Sequence, residues 1–243
     1  MALRLERKHP RAIRWFHWIN FPLLTLMIVS GVLIYWANPI YRIGFGSQTL
    51  LKMTVAQPIY QKLHIDHRLA LGMAWHFFFM WAFALNGLLY VLYTAISGEW
   101  RFLVPNRHSF REAIQVTLHD LHLSKKAPPP RKFNGAQQIA YTSIILMGLG
   151  SLLTGLAIYK PVQFAWLTWL CGGYPTARFL HFWLTVGYVF FFFIHVGQVI
   201  KAGWNNFRAM VTGYEVVDAG VSSAPMAVTR GGQPVDGRSR EGT

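Results

Sequence analysis

Hydrophobic residues are concentrated in four long windows along the chain. None of the windows contains an Asp, Glu, Lys or Arg, and they span Trp15–Trp36, Leu69–Ile96, Gly135–Tyr159 and Phe179–Ile200. A helix needs roughly 20 apolar residues to cross the hydrocarbon core of a bilayer, and each window is that long. Because the windows lack the two-residue alternation of a barrel strand, they predict four membrane-spanning helices and not a barrel.

The segments between the windows are polar or aromatic. In the second connection, apolar residues recur at helical spacing between charged ones, at Phe110, Ile114, Leu118 and Leu121. This pattern predicts a short amphipathic helix at the inner surface of the membrane. The third connection, Pro161–Ala177, holds two Trp and almost no charge, which is typical of a segment at the outer interface.

The division of the chain follows from these windows. We expect a basic cytoplasmic lead over residues 1–14 and a four-helix transmembrane domain over residues 15–213. The last segment, residues 214–243, is rich in Gly, Ser and Arg and lacks periodicity. Such a composition predicts a disordered cytoplasmic tail. The predicted fold is an all-α integral membrane bundle with a cytoplasmic interfacial helix.

Charge sets the orientation of this bundle. The formal net charge is +14, and 17 of the 23 Lys and Arg residues lie in the N-terminal lead, the second connection and the segment after the last helix. By the positive-inside rule these three segments face the cytoplasm, which puts both termini inside. The basic charge therefore indicates contact with lipid and not with nucleic acid. We expect a multi-pass protein of a bacterial inner membrane.

Histidines within the apolar windows suggest a function. Four of the ten histidines lie there, at His17, His76, His181 and His195, and His67 comes two residues before the second window. Ionisable residues inside a membrane are costly and usually functional. A proton relay in a small transporter is one alternative, but such folds usually have inverted repeats and broken helices, which this sequence lacks.

The spacing of two of these histidines favours haem. His181 and His195 are 14 residues apart, close to four helical turns, so they share a face and stand roughly 21 Å apart along the axis. Two haems stacked across a membrane need one ligand near each membrane surface, with both ligands on the same face of the helix. The chain has a single cysteine, Cys171, and hence no CxxCH motif, so haem would be held without covalent attachment.

Depth along the helices predicts which two histidines bind each haem. His17 and His195 both lie within six residues of the inner basic flanks, and they form the predicted inner pair. His181 is roughly 30 Å from Lys201, and His76 is roughly 34 Å from Glu99, whereas His67 is roughly 48 Å away. The core is only about 30 Å thick, so His76 is the preferred outer partner of His181 and His67 the alternative.

Three further stretches carry a family resemblance. They are Arg14–Asn20 (RWFHWIN), Trp75–Phe79 (WHFFF) and Lys132–Gln138 (KFNGAQQ). With the His181…His195 spacing, they make the chain resemble the cytochrome b family found in nickel hydrogenases, formate dehydrogenases (the gamma subunit) and thiosulfate reductase-like enzymes. The resemblance spans roughly residues 9–213.

The resemblance implies cofactors and partners. It implies two b haems, a quinone as diffusible substrate, and a periplasmic molybdopterin or hydrogenase-type oxidoreductase subunit, reached directly or through an iron–sulfur protein. It also implies a quinone site beside the inner haem that is lined by Asn134 and Gln137. A plain helix N-cap is the alternative role of Asn134.

The predicted function is therefore electron transfer between that partner subunit and the membrane quinone pool. The alternative is a stand-alone membrane haem oxidoreductase that acts on a small oxidant such as superoxide.

Overall fold

The computed structural model describes residues 3–35, 37, 40–45, 48–54, 62, 68–125 and 133–218. In chain order, the elements are β1 (Leu3–Arg7), α1 (Arg11–Tyr35), β2 (Ile40–Phe45), β3 (Gln48–Thr54), α2 (Leu69–Ser97), α3 (Trp100–Leu103), α4 (Ser109–Asp120), α5 (Gly135–Tyr159), α6 (Ala165–Leu170), α7 (Tyr174–Thr212) and β4 (Tyr214–Asp218).

Four of these helices are long and apolar enough to cross a membrane: α1, α2, α5 and α7. Large hydrophobic side chains project outward from them, such as Phe78, which is 73% exposed, and Phe190, which is 68% exposed. In a soluble protein this surface would be unstable in water, whereas in a bilayer it faces lipid. The predicted four-helix membrane bundle is confirmed.

Glycines let the helices pack in two close pairs. A Cβ on Gly72 of α2 would lie 2.8 Å from Leu33 Cβ and 3.1 Å from the Ser30 carbonyl oxygen of α1. On α7, a Cβ at Gly187 would lie 2.8 Å from Met147 Cε of α5. Small residues at such crossings allow backbones to approach in membranes, where water does not drive helices together.

The last helix is longer than its apolar window. It runs from Tyr174 to Thr212, beyond the predicted limits of Phe179 and Ile200 at both ends. Gly203 has φ +80° and ψ 177°, so the helix is interrupted there, beyond the apolar window. Only glycine adopts that conformation readily.

At one end of the bundle, β1 and β4 form an antiparallel pair with Arg7 opposite Tyr214 and Leu3 opposite Asp218. The strand pair joins the N-terminal lead to the residues that follow α7. The structure thus places residues 214–218 in a strand, where the sequence predicted the start of the tail. The remainder of that segment lies outside the described residues.

Helix α4 coincides with the predicted amphipathic helix. It packs on the start of α5, where Ser109 Oγ donates to Gln138 Oε1 at 2.7 Å. Its apolar residues Phe110, Ile114 and Leu118 are exposed, by 63%, 63% and 39%. An exposed apolar face of this kind supports the interfacial position, which stays a prediction.

The opposite end of the bundle has a hairpin that the sequence did not predict. Strands β2 and β3 pair antiparallel within the first connection. Tyr41 of β2 is buried and stacks on Phe182 of α7, with ring centroids 4.7 Å apart. Thr176 Oγ1 also donates to the Gly44 carbonyl at 2.8 Å. The hairpin is thereby fixed to the first turns of α7.

Candidate functional site

Two histidines from facing helices meet in the half of the bundle next to this hairpin. His76 of α2 and His181 of α7 have ring centroids 6.1 Å apart, with the ring planes at 76°. Both side chains are partly buried. This is the outer pair predicted from helix depth, whereas the alternative partner, His67, lies outside the described residues.

Two hydroxyl groups hold the outer imidazoles. Ser30 Oγ lies 2.9 Å from His76 Nδ1, and Thr154 Oγ1 lies 2.9 Å from His181 Nδ1. Each hydroxyl donates its own proton elsewhere, Ser30 to the Met27 carbonyl and Thr154 to the Gly150 carbonyl.

These contacts fit one tautomer of both rings. With the hydroxyl protons assigned to the backbone carbonyls, Ser30 and Thr154 accept at the contact and each imidazole donates from Nδ1. A neutral imidazole that is protonated at Nδ1 has its lone pair on Nε2. Metal-binding histidines are usually oriented in this way, through a hydrogen bond from the second ring nitrogen.

The inner pair forms near the opposite end of the bundle. His17 of α1 and His195 of α7 also have ring centroids 6.1 Å apart, at 54°. Phe191 stacks nearly parallel on His195, with centroids 5.6 Å apart. Within the described part of the chain, the buried Nδ1 atom of His17 has no hydrogen-bond partner. Among the described residues, the inner imidazoles therefore pack against aromatic rings, and no hydroxyl group contacts His17 Nδ1.

The backbone beside the outer pair is open. A Cβ on Gly31 would lie 3.7 Å from His76 Cε1, and one on Gly155 would lie 3.5 Å from His181 Cε1. An added methyl group would thus touch each imidazole at ordinary contact distance, so the glycines leave room beside the rings but the helix approach does not require them. The glycines Gly87 and Gly197 border open space instead, since nothing lies within 4 Å of their Cβ positions.

The arrangement fits haem ligation. With metal–imidazole bonds of about 2 Å, two imidazoles on one iron have ring centroids roughly 6 Å apart, which matches both pairs. Among the described residues, no group of three or more His, Cys, Asp or Glu side chains could hold a metal ion. Two-histidine sites that face each other between helices suit a planar group with two axial positions.

The predicted quinone residues lie together at the start of α5. Asn134 Oδ1 accepts from the Gln137 backbone N–H at 2.9 Å, and Gln137 Oε1 accepts from the Asn134 N–H at 3.0 Å. This reciprocal arrangement is a capping box, so Asn134 does act as an N-cap. The box uses both side-chain oxygens and leaves the two amide –NH₂ groups as donors.

A polar contact near the inner histidines was not predicted from the sequence. Asp120, at the end of α4, accepts from Gln198 Nε2 at 3.0 Å and from Lys201 Nζ at 2.7 Å on α7. Burial tends to raise the pKa of Asp120, but these hydrogen bonds and the Lys201 charge outweigh it and hold the pKa below its usual value. The ionised carboxylate therefore ties α4 to α7 one turn beyond His195.

Paired imidazoles between apolar spanning helices define the class of membrane-embedded b-type cytochromes. Residues 8–213 match the family model described as prokaryotic cytochrome b561, and the chain belongs to this family. It is a multi-pass membrane protein that binds haem b and transfers electrons. The family resemblance inferred from the histidine motifs is confirmed.

One curated relative extends the comparison. A protein of Azospira oryzae, provisionally named protein-methionine-sulfoxide reductase subunit YedZ1, is 30% identical over 200 residues. The aligned region covers 82% of this chain and 93% of the relative. The two proteins are thus similar over nearly the whole membrane domain.

Proposed function

We propose that the chain is a diheme cytochrome that carries electrons across the membrane between a partner oxidoreductase subunit and the quinone pool. The observation that supports it is the meeting of two imidazole pairs, each with ring centroids 6.1 Å apart, at two levels of one bundle. His17 and His195 hold the inner haem, and His76 and His181 hold the outer one. Bound haem supplies one-electron chemistry.

The protein would contribute two histidines to each iron and would orient them. With both histidines bound, no position would remain for oxygen, so the site favours electron transfer over oxygen chemistry. Ser30 and Thr154 keep Nε2 of the outer imidazoles available as ligands. In a bilayer, the apolar helices would surround both pairs with a medium of low polarity, which disfavours a net charge at either haem.

The haem count tests this proposal. A pyridine haemochrome assay against protein concentration is expected to approach two haems per chain, both low-spin. The His17→Ala variant should retain one haem, as should His181→Ala. A fully folded preparation with one haem would contradict the diheme assignment.

The hydroxyl contacts predict a difference in reduction potential. A hydrogen bond from Nδ1 makes an imidazole a stronger donor to iron and favours the oxidised state. Thr154→Val and Ser30→Ala should therefore raise the outer-haem potential by roughly tens of millivolts, since one neutral hydrogen bond is worth about 0.5–1.5 kcal/mol. Redox titration followed in the visible spectrum measures this shift.

A matched control is available on the same helix as Thr154. Thr142 donates to the Leu103 carbonyl at 2.9 Å, so Thr142→Val removes a hydroxyl without touching a histidine. Its potentials should equal those of the wild type. Equal shifts in Thr142→Val and Thr154→Val would show that the effect comes from the helix and not from the imidazole contact.

The partner is proposed from the relative. Since that protein is named as a protein-methionine-sulfoxide reductase subunit, we expect electrons to pass from quinol through this chain to a reductase subunit. The partner would be of the molybdopterin type on the periplasmic side, in contact directly or through an iron–sulfur protein. Tagged protein purified in mild detergent should bring this subunit with it. A haem-loaded chain that purifies alone and reacts with superoxide would favour the stand-alone alternative.

The quinone site is proposed beside the inner haem, at Asn134 and Gln137. Their amide –NH₂ groups can donate to a quinone oxygen while the oxygens remain in the capping box. Each donor is worth about 0.5–1.5 kcal/mol, so Asn134→Ala and Gln137→Ala should weaken quinone binding roughly 2- to 13-fold. Quinol oxidation kinetics measure this, after haem content is checked.

Loss of the cap must be separated from loss of a quinone contact. Asn134→Asp keeps the capping oxygen and removes the –NH₂ donor, so it should retain the helix but lose quinone affinity. Wild-type quinone kinetics in this variant and in Gln137→Ala, with full haem, would place the site elsewhere. The outer end near Arg178 would then be examined by the same assay.

A further inference from the structure

A basic cavity lies at the end of the bundle where β1 and β4 pair. Its volume is about 290 Å³, and it opens between the start of α1 and the turn that joins α7 to β4. The lining residues are Arg7, His9, Arg11, Arg14, Thr212, Gly213 and Tyr214. None of the four histidines proposed to hold haem lines it, so the cavity is distinct from both pairs.

The charge of the cavity is uncompensated by its own lining. Three guanidinium groups contribute to it, and no Asp or Glu does. The nearby carboxylates have other partners: Glu215 accepts from Lys8 Nζ at 2.6 Å, and Glu6 pairs with Arg4. Such a site attracts an anion.

Arg14 shows that the cavity is built into the fold. Its guanidinium donates to the Val211 carbonyl at the end of α7, while its Nε is buried without a hydrogen-bond partner in the described part of the chain. Gly213 has φ +94°, and a Cβ there would lie 3.2 Å from both Cζ and Nε of Arg14. Glycine at this position thus keeps room beside the guanidinium, and an anion oxygen would satisfy the remaining donor.

Exposed tryptophans near this end of the bundle support a position at the level of the lipid headgroups. Trp15 directly follows Arg14 on α1, Trp204 lies eight residues before Thr212 on α7, and the two are 68% and 73% exposed. Trp18 Nε1 donates to the Met210 carbonyl at 3.1 Å. Exposed tryptophan is enriched at membrane–water interfaces, and the cytoplasmic leaflet that this end is predicted to face is anionic.

We propose that this cavity binds the phosphate group of an anionic phospholipid. Arginine pairs with phosphate oxygens through two parallel N–H···O bonds, so Arg7, Arg11 and Arg14 provide the recognition chemistry. Free phosphate has the same chemistry but lacks acyl chains, which the exposed tryptophans and apolar helix surfaces would contact. Bound lipid would link the N-terminal lead to the end of α7 and stabilise the strand pair between them.

The test uses the full-length haem-loaded protein and defined lipids. Native mass spectrometry in detergent measures the affinity for phosphatidylglycerol and for phosphatidylcholine, with inorganic phosphate as a competitor. The wild type should bind one phosphatidylglycerol in preference to phosphatidylcholine, and millimolar inorganic phosphate should leave it bound. Arg7→Gln/Arg11→Gln should weaken binding roughly 10- to 30-fold with unchanged haem content.

A charge-matched control separates the cavity from general attraction. Arg107→Gln/Arg111→Gln removes two exposed arginines from the segment around α4 and should leave lipid affinity unchanged. Equal weakening in both double variants would overturn the proposal, as would complete displacement by inorganic phosphate. A changed haem spectrum with unchanged lipid binding in Arg7→Gln/Arg11→Gln would assign the cavity to a haem carboxylate instead. Should that double variant lose haem through misfolding, Arg11→Gln alone is expected to weaken lipid binding roughly fivefold, and wild-type affinity would refute the site.

Discussion

Replacement of His76 by alanine is expected to lower the haem content from two per chain to one. His76 and His181 have ring centroids 6.1 Å apart, and an alanine at position 76 would remove one of the two imidazoles proposed to hold the outer haem. The remaining haem should be the inner one, with its low-spin spectrum and potential preserved, because His17 and His195 lie on α1 and α7 and not on α2. Pyridine haemochrome content and redox titration measure both outcomes.

His67→Ala is the matched control for this variant. It removes the same side chain nine positions earlier, at the alternative ligand that helix depth disfavours. Both haems should remain, with potentials equal to those of the wild type. If His67→Ala loses the outer haem and His76→Ala keeps it, the ligand assignment on the second spanning segment is wrong.

Gly72→Val is expected to separate α1 from α2 and to loosen the outer pair. A Cβ at position 72 would lie 2.8 Å from Leu33 Cβ and 3.1 Å from the Ser30 carbonyl, so a branched side chain cannot fit without movement of a helix. Overpacking of this kind costs typically about 1–3 kcal/mol. Because Ser30 also contacts His76, the displacement should lower outer-haem occupancy and the midpoint of thermal unfolding.

Gly87→Val tests whether the effect is specific to this crossing. Gly87 is on the same helix, but nothing lies within 4 Å of its Cβ position, so valine there should be tolerated. Thermal unfolding in detergent and haem content should match the wild type. Equal losses in both variants would mean that valine weakens α2 itself, and the close approach at Gly72 would not be the cause.

The sequence by itself determined the membrane fold and predicted the histidine pairs, with His67 as the alternative to His76. Charge-free windows of at least 20 residues leave a helix as the structure that satisfies its own backbone in lipid, so the four spans could be read directly. Helical rise then assigned depth to each histidine, because rise per residue is nearly constant. The structure brings together the same pairs, His17 with His195 and His76 with His181.

The elements at the ends of the bundle could be recognised only in three dimensions. Strands β1 and β4 are separated by more than 200 residues, and the short apolar–polar alternation of β1 (LRLER) does not specify which segment it pairs with. The hairpin β2–β3 depends on Tyr41 being buried against Phe182, a contact across the fold. Strand pairing is set by partners and packing more than by local propensity, which explains why these elements were missed.

The polar contacts of the site also depended on tertiary structure. Ser30 and Thr154 are ordinary residues of apolar helices, and most hydroxyls there bond only to their own backbone. Their role follows from a distance of 2.9 Å to an imidazole on another helix, which no spacing along one helix specifies. Likewise, the sequence shows only a basic flank at Arg7, Arg11 and Arg14. The structure adds that all three line one cavity beside Gly213. Periodicity reports which face of a helix is apolar, whereas the partner of each polar atom is decided by how the helices pack.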